Sequence, residues 1–185
     1  RKKESNIQLL EVNLIALPYS WEWTRLGTIS NYGESPSVPA HQIASDAWIL
    51  DLEDIEKGTG AILRKVLKKE RDSASAKRPF VSGQLLYSKL RPYLNKVLVA
   101  PAHGFCTSEI LPVQLYGRCA PKYLRAFCRS PFFLEYANRC SYGVKMPRLG
   151  TRDGKKALIA LPPLREQQRI AQVIDRINIV LESTK

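Results

Sequence analysis

Five short apolar runs constrain the fold of this chain more than any other feature. They are AWILDL, GAILRKVL, QLLYSKL, NKVLVAP and EILPVQLY, and each is bounded by Gly, Pro or Ser. Runs of this kind, about four to eight residues long and rich in leucine or β-branched residues, are typical of strands. They predict a twisted, largely antiparallel sheet. The segment KKERDSASAKRPF (68–80) lies between two of the runs and is expected to be too polar for burial.

The hydrophobic period changes at Pro121, where APKYLRAFCRS places a proline at a helix start and apolar residues on one face. Ser130 and Pro131 interrupt that helix and begin another, PFFLEYANRC. The chain then returns through SYGVKMPRLGTRDGKK to an extended ALIALPPL. The predicted fold class is therefore α/β (α+β), with short helices beside a largely antiparallel sheet.

A pair of prolines in LPPLREQQRI (161–170) leads into a helical pattern that continues to the last residue. Apolar residues recur in it at spacings of three and four, as in a coiled coil. They are Ile170, Val173, Ile177 and Val180, with Ile174 and Leu181 beside them. Two heptads fit either packing on the domain's own sheet or the start of a long coiled-coil arm.

The chain carries 29 Lys and Arg against 17 Asp and Glu, a formal net charge of +12. This excess predicts an anionic partner: nucleic acid, an acidic protein or an anionic membrane surface. The apolar runs are far shorter than the roughly 20 residues of a transmembrane helix, and no apolar segment follows the basic start RKKESNIQ. The four cysteines form no Cys-x-x-Cys pair, so reduced thiols and a cytoplasmic location are expected.

Four sequence segments, in this order, resemble the target recognition domain of the specificity subunit of type I restriction-modification systems. They are LPYSWEWTRLG, QLLYSKLRPYLNKVLVA, GVKMPRLGT and LPPLREQQRIAQVID, which together frame residues 17–175. The last segment is the most specific. Ser20 stands where the family often has glycine, a change expected to alter only the local turn.

The resemblance implies an N-terminal arm (1–16), a DNA target recognition domain (17–163) and the start of a long spacer helix (164–185). In that family two such domains each recognise half of a split DNA sequence, and long helices join them and dock the methylation subunits. The chain begins with Arg and holds one set of motifs. We therefore expect half of a full subunit, either excised or a half-length form that dimerises. Leu164, Ile170, Val173, Ile177 and Val180 would contact the other spacer helix or subunits.

Three basic segments are candidates for contact with double-stranded DNA, because cationic side chains bind its phosphates. The first contains Lys65, Lys68, Lys69, Arg71, Ser75, Lys77 and Arg78, and its loop 72–77 is the preferred candidate for base contacts. The second contains Lys89, Arg91, Tyr93 and Lys96. The third, the preferred basic cluster, contains Tyr142, Lys145, Arg148 and Arg152. The alternatives are a solvated hairpin, a structural turn and an exposed loop, respectively.

No catalytic motif is evident in the sequence. A methyltransferase would need a glycine-rich cofactor loop and an Asn/Asp-Pro-Pro-aromatic site, and neither occurs. We expect no cofactor; the methyl donor, magnesium and ATP would belong to the methylation and restriction subunits. Two alternatives remain. One is a general basic adaptor for RNA or DNA. The other is a metal-dependent nuclease built on Asp153 and Lys155, with Glu135 or Glu109 as further ligands.

Overall fold

The computed structural model describes residues 16–71 and 73–183, and the side chains up to Val180. The predicted N-terminal arm, except Ala16, and Asp72 of the preferred loop lie outside the described residues. The strands are β1 (Glu22–Arg25), β2 (Trp48–Leu50), β3 (Val66–Leu67), β4 (Arg78–Phe80), β5 (Leu85–Ser88), β6 (Val97–Val99), β7 (Gly104–Cys106), β8 (Ile110–Val113) and β9 (Leu158–Leu161). The α-helices are α1 (Leu26–Ile29), α2 (Pro121–Cys128), α3 (Pro131–Cys140), α4 (Thr151–Lys156) and α5 (Leu164–Ser183).

The described strands form three small sheets. Strand β5 lies between β6 and β8, and strand β1 pairs with β9. The third sheet has the order β3-β2-β7-β4. All of these pairs are antiparallel except β2 with β7. The predicted fold class, a largely antiparallel sheet with short helices and a long final helix, is confirmed.

The β6-β5-β8 sheet separates two hydrophobic cores because side chains alternate between its two faces. Leu85 and Tyr87 belong to the core shared with helices α2 and α3, which includes Phe133. Leu86 and Ile110 belong to the core shared with the β3-β2-β7-β4 sheet. Both faces of this sheet are therefore buried, which explains why its strands are continuous apolar runs.

The strand predictions need two corrections. Within GAILRKVL only Val66 and Leu67 form a strand, since Ile62 makes an isolated bridge with Ile55 and the other residues before Val66 belong to no regular element. The segment 68–80 was wrongly expected to stay unburied: Lys77 is 3% exposed and Phe80 2%. Its last residues form β4, which pairs with β7 and packs Phe80 edge-on against Trp48. Strand β4 has the sequence Arg-Pro-Phe, which lacks the apolar alternation that would predict a strand.

The two predicted short helices are present. Proline opens each of them, and the Ser130 hydroxyl accepts a hydrogen bond from the Phe133 amide at 3.3 Å, which caps α3. Helix α4 was not predicted, because its sequence TRDGKK has no apolar face. It forms where Gly154 packs against the Tyr32 ring, since a Cβ at Gly154 would lie 2.0 Å from a ring carbon.

The short β1-β9 sheet pairs the first described strand of the chain with the last one at the base of α5. Thr24 pairs with Ile159, and the Trp23 ring lies 5.4 Å from that of Phe132 on α3. Strand β9 ends at Leu161, and α5 begins at Leu164 after the two prolines. The domain thus projects its final helix from a paired strand rather than from a free tail.

Candidate nucleic-acid interface

A concave surface lined with basic residues, here called the basic groove, lies beside strand β3. It has a volume of about 520 Å³ and is lined by Ala40, His41, Lys68, Lys69, Arg71, Ser73 and Ala74. The Lys68 and Lys69 amides donate hydrogen bonds to the carbonyls of Ala47 and Ser45, both at 2.9 Å. The backbone that carries these two lysines is therefore fixed against a neighbouring loop.

Arg71 lies in the groove but is held by carboxylates. Its guanidinium makes ion pairs with Asp54 at 2.7 Å, Asp51 at 3.1 Å and Glu53 at 3.3 Å. Asp54 is fully buried and also binds Arg64 at 2.7 Å. A buried carboxylate needs such partners, because an unpaired charge is expensive to bury. The positive charge of Arg71 is thus balanced locally, whereas Lys68 and Lys69 are in no described ion pair.

The loop predicted to contact bases is organised from inside by Lys77. The ammonium of this buried lysine donates hydrogen bonds to the hydroxyls of Ser73 and Ser75, both at 2.6 Å, and to the Ser75 carbonyl at 2.9 Å. Burial lowers the pKa of Lys77. Arg78 is also engaged, donating to the Ser35 carbonyl at 2.6 Å. In this conformation both cations hold the backbone, while Ala74, Ser75 and Ala76 are exposed.

The remaining residue of the first segment, Lys65, is exposed, and its ammonium lies 5.4 Å from the centre of the Trp48 ring. This is a cation–π distance. Trp48 is buried beneath it and packs on Phe80. Lys65 thus covers one edge of the core while its charge stays in solvent.

The second basic segment forms a tight connection between β5 and β6. Arg91 and Asn95 both adopt left-handed backbone conformations, with φ of 48° and 52°, on either side of a 3₁₀ turn, Pro92–Leu94. The Lys96 ammonium donates to the Leu52 carbonyl at 2.6 Å, and burial lowers its pKa. Lys89 lies 4.0 Å from Glu109. Tyr93 is exposed at the turn.

The third segment contains a loop, residues 142–148, that is fixed at its base. Arg148 donates to both Glu109 oxygens at 3.0 to 3.1 Å and to the Met146 carbonyl at 3.0 Å. Tyr142 and Arg148 also exchange backbone hydrogen bonds of 3.1 and 2.9 Å. We call this the braced loop. Tyr142 and Lys145 are exposed on it, and Arg152 is exposed on α4.

The first turns of α5 are anchored to the domain. The buried Gln167 side chain accepts a hydrogen bond from the Ala120 amide at 2.8 Å and donates to the carbonyls of Arg118 and Pro162 at 2.9 and 2.8 Å. Glu166 accepts a hydrogen bond from the Trp21 indole at 3.2 Å. Asp175 pairs with Lys122 of α2 at 3.1 Å. These contacts set the direction in which the helix leaves the domain.

Beyond this anchor, α5 exposes the predicted apolar positions. Val173, Ile177 and Val180 are exposed, as is Leu164, while Ile170 is partly buried. Ile170, Val173, Ile177 and Val180 lie on one face of the helix at spacings of three, four and three. Packing on the domain's own sheet therefore leaves Val173 and Ile177 exposed. We call Ile170, Val173, Ile177 and Val180 the apolar stripe.

Three residues have a place in the site that the sequence did not predict. They are His41 in the groove, Glu109 beneath the braced loop and Gln167 under α5. His41 lines the groove together with lysines that are distant in sequence, and Glu109 binds the distant Arg148, so no local pattern could reveal either role. Gln167 carried a signal, since a glutamine in the first turn of a helix after two prolines is a potential cap for nearby backbone groups.

The residues of the alternative nuclease site have other partners. Glu109 binds Arg148, Glu135 binds Arg139 and Lys155 binds Glu34. Only the backbone carbonyl of Asp153 is engaged by Tyr136, through a hydrogen bond from the Tyr136 hydroxyl. Across residues 16–71 and 73–183 no three His, Cys, Asp or Glu side chains are grouped so that they could hold a metal ion. None of the helices in the same residues has the length and hydrophobicity of a membrane span.

Comparison with known proteins gives a consistent result. The chain is 26% identical over 176 residues to the type I restriction enzyme EcoDI specificity subunit of Escherichia coli, covering 95% of this chain and 39% of that protein. A solved structure of the type I R-M system, described in terms of complex assembly and conformational transition, has 25% identity and a TM-score of 0.74. That match covers 92% of this chain and 45% of the other. No protein-family model matches the chain.

Two further structures support the fold. The HsdS subunit from Thermoanaerobacter tengcongensis matches with a TM-score of 0.74 at 24% identity, over 92% of this chain and 45% of that subunit. The type I restriction-modification S subunit from M. genitalium matches with a TM-score of 0.60 at 12% identity, over 91% and 42%. The chain thus spans less than half the length of each of these proteins.

Proposed function

The chain is homologous to the specificity subunits of type I restriction enzymes, and from that premise we propose that it recognises one half of a split double-stranded DNA target. Its role would be to direct methylation and restriction subunits to that target. The observation that carries the proposal is the combined sequence and structural match, which extends over 92% of the chain at a TM-score of 0.74. The net charge of +12 fits an anionic ligand such as DNA.

Within this proposal the predicted contact residues divide into two groups by their environment. Arg71, Lys77, Arg78, Lys96 and Arg148 hold neighbouring loops through short hydrogen bonds and ion pairs. The second group would contact phosphates or base edges, because its side chains are exposed or face the groove. It comprises Lys65, Lys68, Lys69, Ser75, Tyr93, Tyr142, Lys145 and Arg152. The other two predicted contacts, Lys89 and Arg91, are partly buried: Lys89 lies 4.0 Å from Glu109, and Arg91 donates to the Lys145 carbonyl.

The apolar stripe is proposed to pack against a second spacer helix, from another recognition half in the same chain or in a dimer. In support, the chain spans 45% of the length of the solved HsdS subunit. The anchor at Gln167 would fix the angle between the recognition domain and its spacer. Methyl transfer and cleavage are assigned to the methylation and restriction subunits, which act on DNA in the cytoplasm.

Sequence preference separates this function from that of a general basic adaptor, because both would bind polyanions in a salt-dependent way. The half-site would first be selected from a randomised duplex library. The chain would then be titrated with that duplex, a shuffled duplex and an RNA duplex of the same sequence. We expect at least about tenfold tighter binding to the selected DNA, a modest part of the discrimination of complete proteins. Equal affinity for all three would support the adaptor.

A further inference from the structure

The braced loop ends in an apolar tip that the fold does not cover. Val144 is 101% exposed, Met146 is 43% exposed, and Tyr142 at the base is 57% exposed. Single apolar residues on a surface are common, but several within one short loop indicate a contact site. Folding gains little from placing Val144 fully in water, so its side chain is better explained by a contact made with a partner.

The loop is preorganised by two arginines, Arg148 at its end and Arg91 in the connection between β5 and β6. The Arg91 amide donates to the Pro147 carbonyl at 2.7 Å, and its guanidinium donates to the Lys145 carbonyl at 3.3 Å. Arg148 donates to the Met146 carbonyl at 3.0 Å. Three successive carbonyls behind the tip are therefore hydrogen-bonded. A loop fixed in this way loses little conformational entropy on binding, which favours a specific contact.

Charge around the tip indicates the nature of the partner. Lys145 stands between Val144 and Met146, Arg152 is exposed on the following helix, and the whole chain has a net charge of +12. Exposed apolar side chains next to cations match the DNA major groove, where phosphates flank base edges. The apolar group that distinguishes one base there is the methyl group of thymine.

We infer that Val144 and Met146 recognise thymine methyl groups in the major groove of the target half-site. This inference rests on the proposed function and adds to it a kind of base contact and the residues that make it. Arg91 and Arg148 are positioning residues in this account, since they fix the loop backbone. Burying one methyl group on binding corresponds to about a fourfold gain in affinity.

The test uses the assembled methylation complex that contains this chain and duplexes in which each thymine of the half-site is replaced in turn by deoxyuridine. The replacement removes only the methyl group. Affinity is measured by fluorescence anisotropy for the native complex and for Val144→Thr, which keeps the shape of valine but replaces a methyl group with a hydroxyl. Val81→Thr is the matched control, because Val81 is an exposed valine in the turn between β4 and β5.

For the native complex and for Val81→Thr, we expect deoxyuridine at one or two thymine positions to reduce the affinity for the duplex about fourfold. For Val144→Thr, the same replacements should reduce the affinity much less. Equal losses in Val144→Thr, or no loss at any thymine, would overturn the inference. If the native complex still prefers the half-site to a shuffled duplex in that case, the proposed function stands. If it shows no preference, both fail.

Discussion

Gln167 provides the sharpest test of how the recognition domain holds its spacer helix. Its side chain is fully buried and makes three hydrogen bonds, one accepted from the Ala120 amide and two donated to the carbonyls of Arg118 and Pro162. The substitution Gln167→Ala removes all three and leaves these backbone groups without that partner. Each of them belongs to a segment that turns into or out of a helix.

The magnitude follows from the number of bonds and their exposure. A hydrogen bond contributes about 1 kcal/mol net, and a buried group left unsatisfied costs about 1 to 3 kcal/mol. The bond to the Pro162 carbonyl is buried, whereas the other two are partly accessible to water. We therefore expect Gln167→Ala to lower the free energy of unfolding by about 2 to 4 kcal/mol. That is a large share of the total stability of a typical domain.

The assay is urea unfolding followed by circular dichroism, with Gln168→Ala as the matched control. Gln168 is the next residue of the same helix and is exposed, so its replacement has the same effect on helix propensity but removes no anchor. The control should stay within about 0.5 kcal/mol of the native chain. If the two variants have the same stability, the anchor contributes nothing and the reasoning fails.

Three further results are expected. Ile177→Glu should abolish association with a second spacer helix, measured by sedimentation, whereas Ile179→Glu on the opposite side of α5 should not; equal behaviour would remove the apolar stripe from the interface. Lys69→Ala should reduce the slope of log affinity against log salt by about 0.9, as for one lost phosphate contact; an unchanged slope would show that the basic groove does not contact DNA. Arg148→Lys keeps the charge but loses the two-point contact with Glu109, so it should reduce sequence preference and leave that slope unchanged; a reduced slope with intact preference would make Arg148 a phosphate contact instead.

The fold could be predicted where burial shows directly in the sequence. Strands β5, β6 and β8 have both faces covered, so they are continuous apolar runs. Helices α2 and α3 begin with proline and carry a clear apolar face. Strand β4 and helix α4 are stabilised by distant partners, β7 for the first and Tyr32 for the second, and their own residues give no local signal.

The site was predictable as a set of basic segments but not as a set of roles. Lys77 and Lys145 look alike in sequence, since each lies in an irregular basic segment without hydrophobic periodicity. In the structure Lys77 is buried and binds Ser73 and Ser75, whereas Lys145 is exposed between apolar neighbours. The difference depends on which side of the loop faces the protein. Sequence spacing in an irregular loop does not determine that side.

The most direct test of the central claim is an exchange of residues 24–157 in a complete specificity subunit. The subunit would be expressed with its methylation subunit, and methylated adenines would be mapped by sequencing genomic DNA. Recognition by this chain predicts that one half of the split motif changes with the exchange and that the other half stays the same. Robust methylation at an unchanged motif would contradict the account.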